Sequence, residues 1–402
     1  MVTLQTIRAA LDRIRDSIFL SPFGPSETFS KLTGNTISFK LDNLQVTGAF
    51  KERGALNKIL QLSPEERRRG VIAASAGNHA QAVAYHAVKR GIAAQICMPL
   101  TTPLVKVSAT RGYGAEVILV GANYDETCEE ALRRSQQNAY TFVHPFDDEA
   151  VIAGQGTMGL EMLEQQPDLD AVIVPVGGGG LIGGVACAIK ETNPKVAVIG
   201  VQTSKLPCMK AALENDGPVT LPAKVTVADG IAVRCAGALT FPLVKKYVDD
   251  IVTVDDEEIA NAILLLLEKE KTLTEGAGAV ATAAIVQRKV AYSGKKIGIV
   301  VSGGNIDVSL LSRIIERGLV KDGRLVRLRI HLPDHAGSLH HLSGVIAHHK
   351  ANIVETMYDR AYHGVVLGDA VIDITMETRG PEHIVELTAA LDAAGYTYER
   401  VL

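Results

Sequence analysis

Nowhere does the sequence run apolar for the ~20 residues that a bilayer-spanning helix needs. The apolar segment 262–267 meets Glu268-Lys269-Glu270-Lys271 at once, so no membrane partner is expected. The first residues place Asp12 and Asp16 among arginines and contain no apolar core of a secretory signal. There is no CxxC pair. The five cysteines (97, 128, 187, 208 and 235) are odd in number and widely spaced, which argues against a disulfide framework or a zinc site and fits reduced thiols in the cytoplasm. A formal charge of −4 gives no positive field to draw nucleic acid. Low-complexity tracts and internal repeats are also missing.

What is present points to an α/β protein. A chain of 402 residues, 47% of them apolar, has material for two or three domains with sizeable cores. Its 37 glycines suggest tight turns and loops that let a ligand approach. Leu4, Ile7, Leu11 and Ile14 follow Thr3 at helical spacing, so a capped amphipathic helix should open the chain. From there to about residue 320, short β-rich runs (36–41, 70–74, 93–98, 116–120, 171–175, 196–201 and 296–301) are mostly separated by helical patterns. That is the rhythm of parallel sheets covered on both faces, with ligands at the carboxyl ends of the strands. The pattern breaks at GLVKDG (318–323). A first α/β domain is therefore expected over 1–318, with a smaller subdomain at roughly 45–148, then a linker at 319–324. Beyond it, strands at 325–332, 353–358, 365–376 and 396–401 and helices at 338–349 and 382–393 give the βαββαβ order of a ferredoxin-like domain.

Residues 177–184 read GGGGLIGG between the run AVIVPV and the helical VACAIK. A strand, a glycine loop and a helix start form an anion site, because N–H groups converge and no Cβ blocks the approach. Gly178, Gly180 and Gly183 also satisfy GxGxxG, but the acid of a dinucleotide site should follow about 20 residues on. Gln202 stands there, with no carboxylate until Glu214. A phosphate monoester is the better ligand, and close helix–sheet packing is the plain alternative.

Three more loops matter together. In LDNLQVTGAFKERGA (41–55), Lys51 falls in the first turn of a helix, where a lysine by itself reads as solvated. In ASAGNHAQA (74–82), Ser75, Gly77 and Asn78 offer donors at a helix start, a cradle for a carboxylate. Taken alone, Asn78 and His79 read as a cap and a core histidine. In VSGGN (301–305), Ser302 sits at a strand end, where a serine usually forms a turn. Combined, the loops hold an amine, a carboxylate site, a phosphate site and a polar partner, the inventory of pyridoxal 5'-phosphate (PLP) chemistry.

With TGAFKERGA, SAGNHAQA, PVGGGGLIGG, ADGIAV, TEGAGA and SGGN in that order, the stretch from about 20 to 316 resembles the fold type II PLP enzymes, most closely the threonine/serine dehydratases (threonine ammonia-lyases). The resemblance implies an α/β fold of two doubly wound subdomains. It implies Lys51 as the Schiff-base lysine and catalytic base, with Phe50 against the ring and Asn78 on the ring hydroxyl. It places Gly177, Gly178, Gly179, Gly180 and Leu181 on the phosphate, and Ser302 at the pyridine nitrogen. Residues 75–79 (Ser75, Ala76, Gly77, Asn78, His79) should meet the substrate, a small amino acid. Glu275 lies where the family often has an acid near the cofactor edge, and a helix N-terminal acid is its plain alternative. The implied reaction takes L-threonine to 2-oxobutanoate and ammonia. A serine-preferring dehydratase giving pyruvate, a serine racemase-like enzyme and a non-enzymatic amino-acid-responsive binding protein are the alternatives.

Departures narrow the choice. Racemases of this fold usually carry a second serine where Ala76 stands, and alanine cannot hold a proton. GVQTSKLPCMKAA (200–212) has no carboxylate, so the divalent metal site of some relatives is not expected. Residues 325–402, through LPDHAGSLHHL (332–342), resemble an ACT domain, a regulatory module of amino-acid metabolism. Asp334, Gly337 and Ser338 are its candidate effector residues, with isoleucine or valine as effector. Asp334-His335-Ala336 replaces the usual Asp-Arg-Pro. The tail holds eight of the eleven histidines, yet no HxxxH pair falls inside the expected helix, so no metal site is expected. A homotetramer or homodimer is implied by the same resemblance.

Overall fold

The computed structural model describes residues 1–361 and 365–401. They form two compact units, Met1–Asp307 and Val308–Leu402. Among the described residues no helix is long and apolar enough to cross a membrane, and all five cysteines are unpaired.

The first unit opens with helix Leu4–Ile14, whose Thr3 and Thr6 form a reciprocal capping box. Two sheets follow. The larger runs in the order Phe23–Ser26, Thr36–Leu41, Lys296–Val301, Ala171–Pro175, Ala197–Thr203, Asp250–Val254. Only the first pairing, between Phe23–Ser26 and Thr36–Leu41, is antiparallel. The smaller sheet is wholly parallel, in the order Glu116–Leu119, Ala94–Met98, Val71–Ala74, Thr141–Phe142. The seven expected strands are present with ends shifted by a residue or two. Phe23–Ser26, Thr141–Phe142 and Asp250–Val254 were not anticipated: all three lie at a sheet edge, where no continuous buried run marks them. The central strands are buried on both sides, as the runs VIAA and AVIVP require.

Helix Glu149–Gln165 lies against helix Gly180–Thr192, and small residues allow it. A Cβ on Gly184 would come within 2.4 Å of the Ile152 carbonyl. This contact joins the glycine-loop helix to the element behind Lys51, since Gly154 meets Arg53 and Gly54 the same way.

In the second unit, helix Val308–Lys321 precedes a four-stranded antiparallel sheet in the order Asn352–Asp359, Asp369–Glu377, Leu325–Pro333, Thr397–Val401, with helices Ser338–His348 and Pro381–Ala393. This is the ferredoxin-like βαββαβ arrangement, with a core that includes Leu328, Ile330, Leu342, Ile372 and Leu387. Two expected boundaries shift. The first residues of the expected linker at 319–324 are helical, and the chain turns at Gly323, with φ +67°. The strand expected from 365 starts at Asp369, after Gly368 in the left-handed region.

Candidate active site

The loops singled out in the sequence follow parallel strands at their carboxyl ends, 75–79 after Val71–Ala74, 176–180 after Ala171–Pro175 and 302–305 after Lys296–Val301. Helix Lys51–Leu60 begins at the same place. Its entry is stitched to the last loop, for Phe50 N–H donates to the Ser302 carbonyl (2.9 Å) and Gly304 N–H to the Gly48 carbonyl (2.8 Å). Gly48 has φ +74°, and a side chain there would strike Asn305.

Lys51 is half-buried. Its Nζ donates to the Pro145 carbonyl (2.7 Å) and lies 5.1 Å from the centre of the Phe50 ring. The surrounding protein lowers its pKa to about 8, with partial opposition from the charge of Glu275.

Asn78 starts helix Asn78–Val88. Its Nδ2 donates to Glu275 Oε1 (2.6 Å), and its Oδ1 accepts from Asn305 Nδ2 (2.7 Å). Asn305 also donates to the Thr47 carbonyl, so both amides are held in one orientation. Glu275 is buried and raised to about 7, first by burial and then by Asp229 nearby. Its place as N-cap residue of helix Gly276–Val286 carries no side-chain cap bond. The Asn78 contact therefore turns it away from the plain capping role.

The 75–79 loop only partly matches the expected donor set. Ser75 Oγ accepts from Gly77 N–H (3.2 Å), which commits that N–H to the loop itself. The Ser75 hydroxyl proton and the first turn of the helix remain as donors. His79 is buried, with Nε2 at 2.8 Å from the Val143 carbonyl and Nδ1 without a partner. Burial pushes its pKa down to about 3, so it is a neutral, inward histidine. Ala76 packs against the small-sheet core.

The glycine loop joins strand Ala171–Pro175 to helix Gly180–Thr192. Gly179 has φ +98° and caps helix Gly180–Thr192, and a Cβ on Gly178 would enter the Phe146 ring at 2.4 Å. Gln202 lies buried within strand Ala197–Thr203 and accepts from Lys210 N–H. Where a dinucleotide site needs an acid, this chain has an amide.

The segment HPFDD (144–148) was overlooked. It supplies the carbonyl partner of Lys51, the ring that packs on Gly178, and Asp147, whose carboxylate accepts from Ala238, Leu239 and Thr240 N–H. Its strand, Thr141–Phe142, is two residues long. The visible signal was a histidine and two aspartates in a row just before a helix.

In the C-terminal unit, Gly337 has φ +96° and is the N-cap of helix Ser338–His348. Asp334 is engaged by the Tyr358 hydroxyl (3.1 Å) and by Arg360 (3.1 Å), and Ser338 Oγ contacts His335 Nδ1. Among the described residues no group of three or more His, Cys, Asp or Glu side chains is disposed to hold a metal ion.

Comparison with known proteins places these features in a family. Residues 14–303 match the model of the pyridoxal-phosphate dependent enzymes. The chain is 50% identical over 396 residues to the L-threonine ammonia-lyase of Thermotoga maritima, covering 98% of both. Among solved structures, the processed threonine deaminase isoform 2 of Solanum lycopersicum is 37% identical, with a TM-score of 0.75 over 78% of this chain and 92% of that one. Serine racemase of Dictyostelium discoideum gives 37% and 0.72, over 76% and 99%. The architecture is thus that of the fold type II PLP enzymes, with an added ferredoxin-like domain. The donor set fits the cofactor: an amine of lowered pKa suits an aldehyde, and glycine N–H groups at a helix start, with no acid among residues 177–184, suit a phosphate ester. The chain belongs to the pyridoxal-phosphate dependent enzyme family.

Proposed function

We propose that this protein is a threonine ammonia-lyase, which eliminates the β-hydroxyl of L-threonine and yields 2-oxobutanoate and ammonia. The observation that carries the reading is Lys51, an amine of lowered pKa whose partner is a backbone carbonyl, set beside the Asn78–Glu275 pair at the strand ends. The choice of threonine is supported by the relatives named for that substrate.

When bound, PLP supplies an aldehyde for the substrate amine and a ring that draws electron density from the α-carbon. Gly177–Gly180 and Leu181 would hold its phosphate, Phe50 its face, Asn78 its ring hydroxyl and Ser302 its pyridine nitrogen. With a pKa of about 8, about a tenth of Lys51 is neutral at pH 7, against about one in three thousand for an ordinary lysine. The neutral amine can take the α-proton, and the Pro145 carbonyl steadies the ammonium that results. The start of helix Asn78–Val88 and the Ser75 hydroxyl favour the substrate carboxylate. Ala76 offers no acid–base group, which favours elimination over racemisation. A serine rather than a carboxylate at position 302 does not force the pyridine nitrogen to stay protonated, and this suits prompt loss of a β-substituent.

The C-terminal unit is read as an ACT-type regulatory domain, pairing in a homodimer or homotetramer in the cytoplasm. Asp334, Gly337 and Ser338 would meet a small amino acid, isoleucine before valine. Kinetics test the substrate: 2-oxobutanoate formation from threonine should exceed pyruvate formation from serine in kcat/KM. Because one methyl is worth only ~1–3 kcal/mol in a pocket, a faster reaction with serine overturns the threonine assignment. Activity indifferent to isoleucine and valine overturns the regulatory one.

A further inference from the structure

Asp147 joins the two halves of the site. Its Oδ1 accepts from Leu239 N–H (2.8 Å) and Thr240 N–H (3.3 Å), and its Oδ2 from Ala238 N–H (3.0 Å). These groups lead into helix Thr240–Tyr247, whose own N-cap, Leu239, has no side chain able to satisfy them. A carboxylate from a distant segment thus caps this helix. Gly237 leaves room for this carboxylate, because a Cβ there would come within 2.3 Å of Asp147 Oδ1.

The capped turn in turn grips the glycine loop. Thr240 Oγ1 donates to the Gly178 carbonyl at 2.6 Å, and Gly237 N–H donates to the same oxygen at 3.2 Å. A trans peptide is planar, so the carbonyl of Gly178 and the N–H of Gly179 point in opposite directions. Holding the carbonyl against Thr240 turns the Gly179 N–H away from Thr240. It then joins the unpaired N–H groups that begin helix Gly180–Thr192. The aim of Asp147 is itself fixed, since His144 Nδ1 accepts from Asp147 N–H (2.7 Å) and Phe146 N–H (3.2 Å). Between them, Pro145 presents its carbonyl to Lys51.

We propose that Asp147 is a positioning residue for the phosphate loop. Through the 237–240 turn it orients the Gly178–Gly179 peptide toward the cofactor phosphate, while its own segment positions the carbonyl partner of Lys51. This rests on the reading of 177–181 as the phosphate site. The full-length, cofactor-free protein should be titrated with PLP and with pyridoxal, which lacks the phosphate, in wild type, Asp147→Ala, Asp147→Asn and Thr240→Val.

Asp147→Ala should weaken PLP roughly tenfold or more, the scale of hydrogen bonds to a charged group, and pyridoxal by less than about threefold. Thr240→Val should shift the PLP-to-pyridoxal ratio the same way. Equal weakening of both compounds, or no weakening of either, overturns the proposal. If Asp147→Ala does not fold, Asp147→Asn and Thr240→Val decide by the same ratio. A wild type that holds pyridoxal as tightly as PLP would instead defeat the phosphate-site reading, a separate failure.

Discussion

Lys40 and Lys51 stand eleven residues apart in the chain and both have lowered pKa values, with burial as the largest cause. Their surroundings differ. Lys40 gives its ammonium three acceptors, the Ser21 carbonyl (2.9 Å), Gln165 Oε1 (2.9 Å) and Glu161 Oε2 (2.7 Å). Glu161 also receives Arg53, which forms a two-pronged pair with Asp42. The four side chains are almost completely enclosed. Lys51 is half-buried and has one neutral acceptor, the Pro145 carbonyl. One lysine is enclosed among matched acceptors, as a structural ion pair requires; the other meets no carboxylate at hydrogen-bond distance, as the reactive role proposed for it requires.

The sharpest way to break that contrast is to remove each amine. Lys51→Ala should lower kcat/KM by at least ~10⁴-fold, since both cofactor capture and the base are lost. It should leave thermal unfolding within a few degrees of wild type and abolish the visible absorbance of bound PLP. Residual activity above a hundredth of wild type would refute the role given to Lys51. Arg53→Met should show the opposite pattern. Asp42 and Glu161 would be left with one cation fewer between them, and breaking a buried pair from one side costs ~3–5 kcal/mol. Urea unfolding would measure this; a loss under 1 kcal/mol would mean that Lys40 and Ser21 satisfy both carboxylates without Arg53.

A smaller effect comes from the acid of the reactive region. Glu275 titrates near 7 in the folded protein, above the ordinary carboxylate value. A carboxyl with a raised folded pKa holds its proton more tightly in the native state. Its contribution to stability is therefore full below the unfolded pKa near 4.5 and is lost as pH rises through about 7. Between pH 5 and 7.5 the cofactor-free wild type should lose stability relative to Glu275→Gln by on the order of 1–3 kcal/mol. A difference that stays flat with pH would remove Glu275 as a titrating group.

How much of this was legible beforehand follows from where the information lies in the chain. The glycine loop declares itself because strand, loop and helix start are contiguous, and Gly179 needs its positive φ. Lys51 gained meaning only from three other loops and from the family resemblance. The Lys40–Glu161–Arg53–Asp42 cluster was invisible, because Arg53 and Glu161 meet across 108 residues and nothing local marks either as buried. Asp147 was missed for the same reason: its acceptor role depends on N–H groups 91 to 93 residues away. In the tail, the strand expected at 325–332 is found at Leu325–Pro333, where buried and more exposed residues alternate from Val326 onward.

A third lysine separates distance from burial. Lys106 Nζ lies 2.7 Å from Asp229 Oδ2, the same distance as Lys40 from Glu161, but the two side chains are 26% and 59% exposed. Water screens this pair and both chains lose freedom to form it, so its coupling should be below ~1 kcal/mol and fall further in 0.5 M salt. A double-mutant cycle with Lys106→Ala and Asp229→Asn measures the coupling, beside a cycle with Lys40→Met and Glu161→Gln. The cycle form is needed because Asp229 also raises the pKa of Glu275, and that contribution appears in the single and the double variant alike and largely cancels. The buried pair should show a coupling several times larger and insensitive to salt. If the two couplings prove equal, distance alone sets the strength of these pairs, and enclosure ceases to explain why Lys40 is structural.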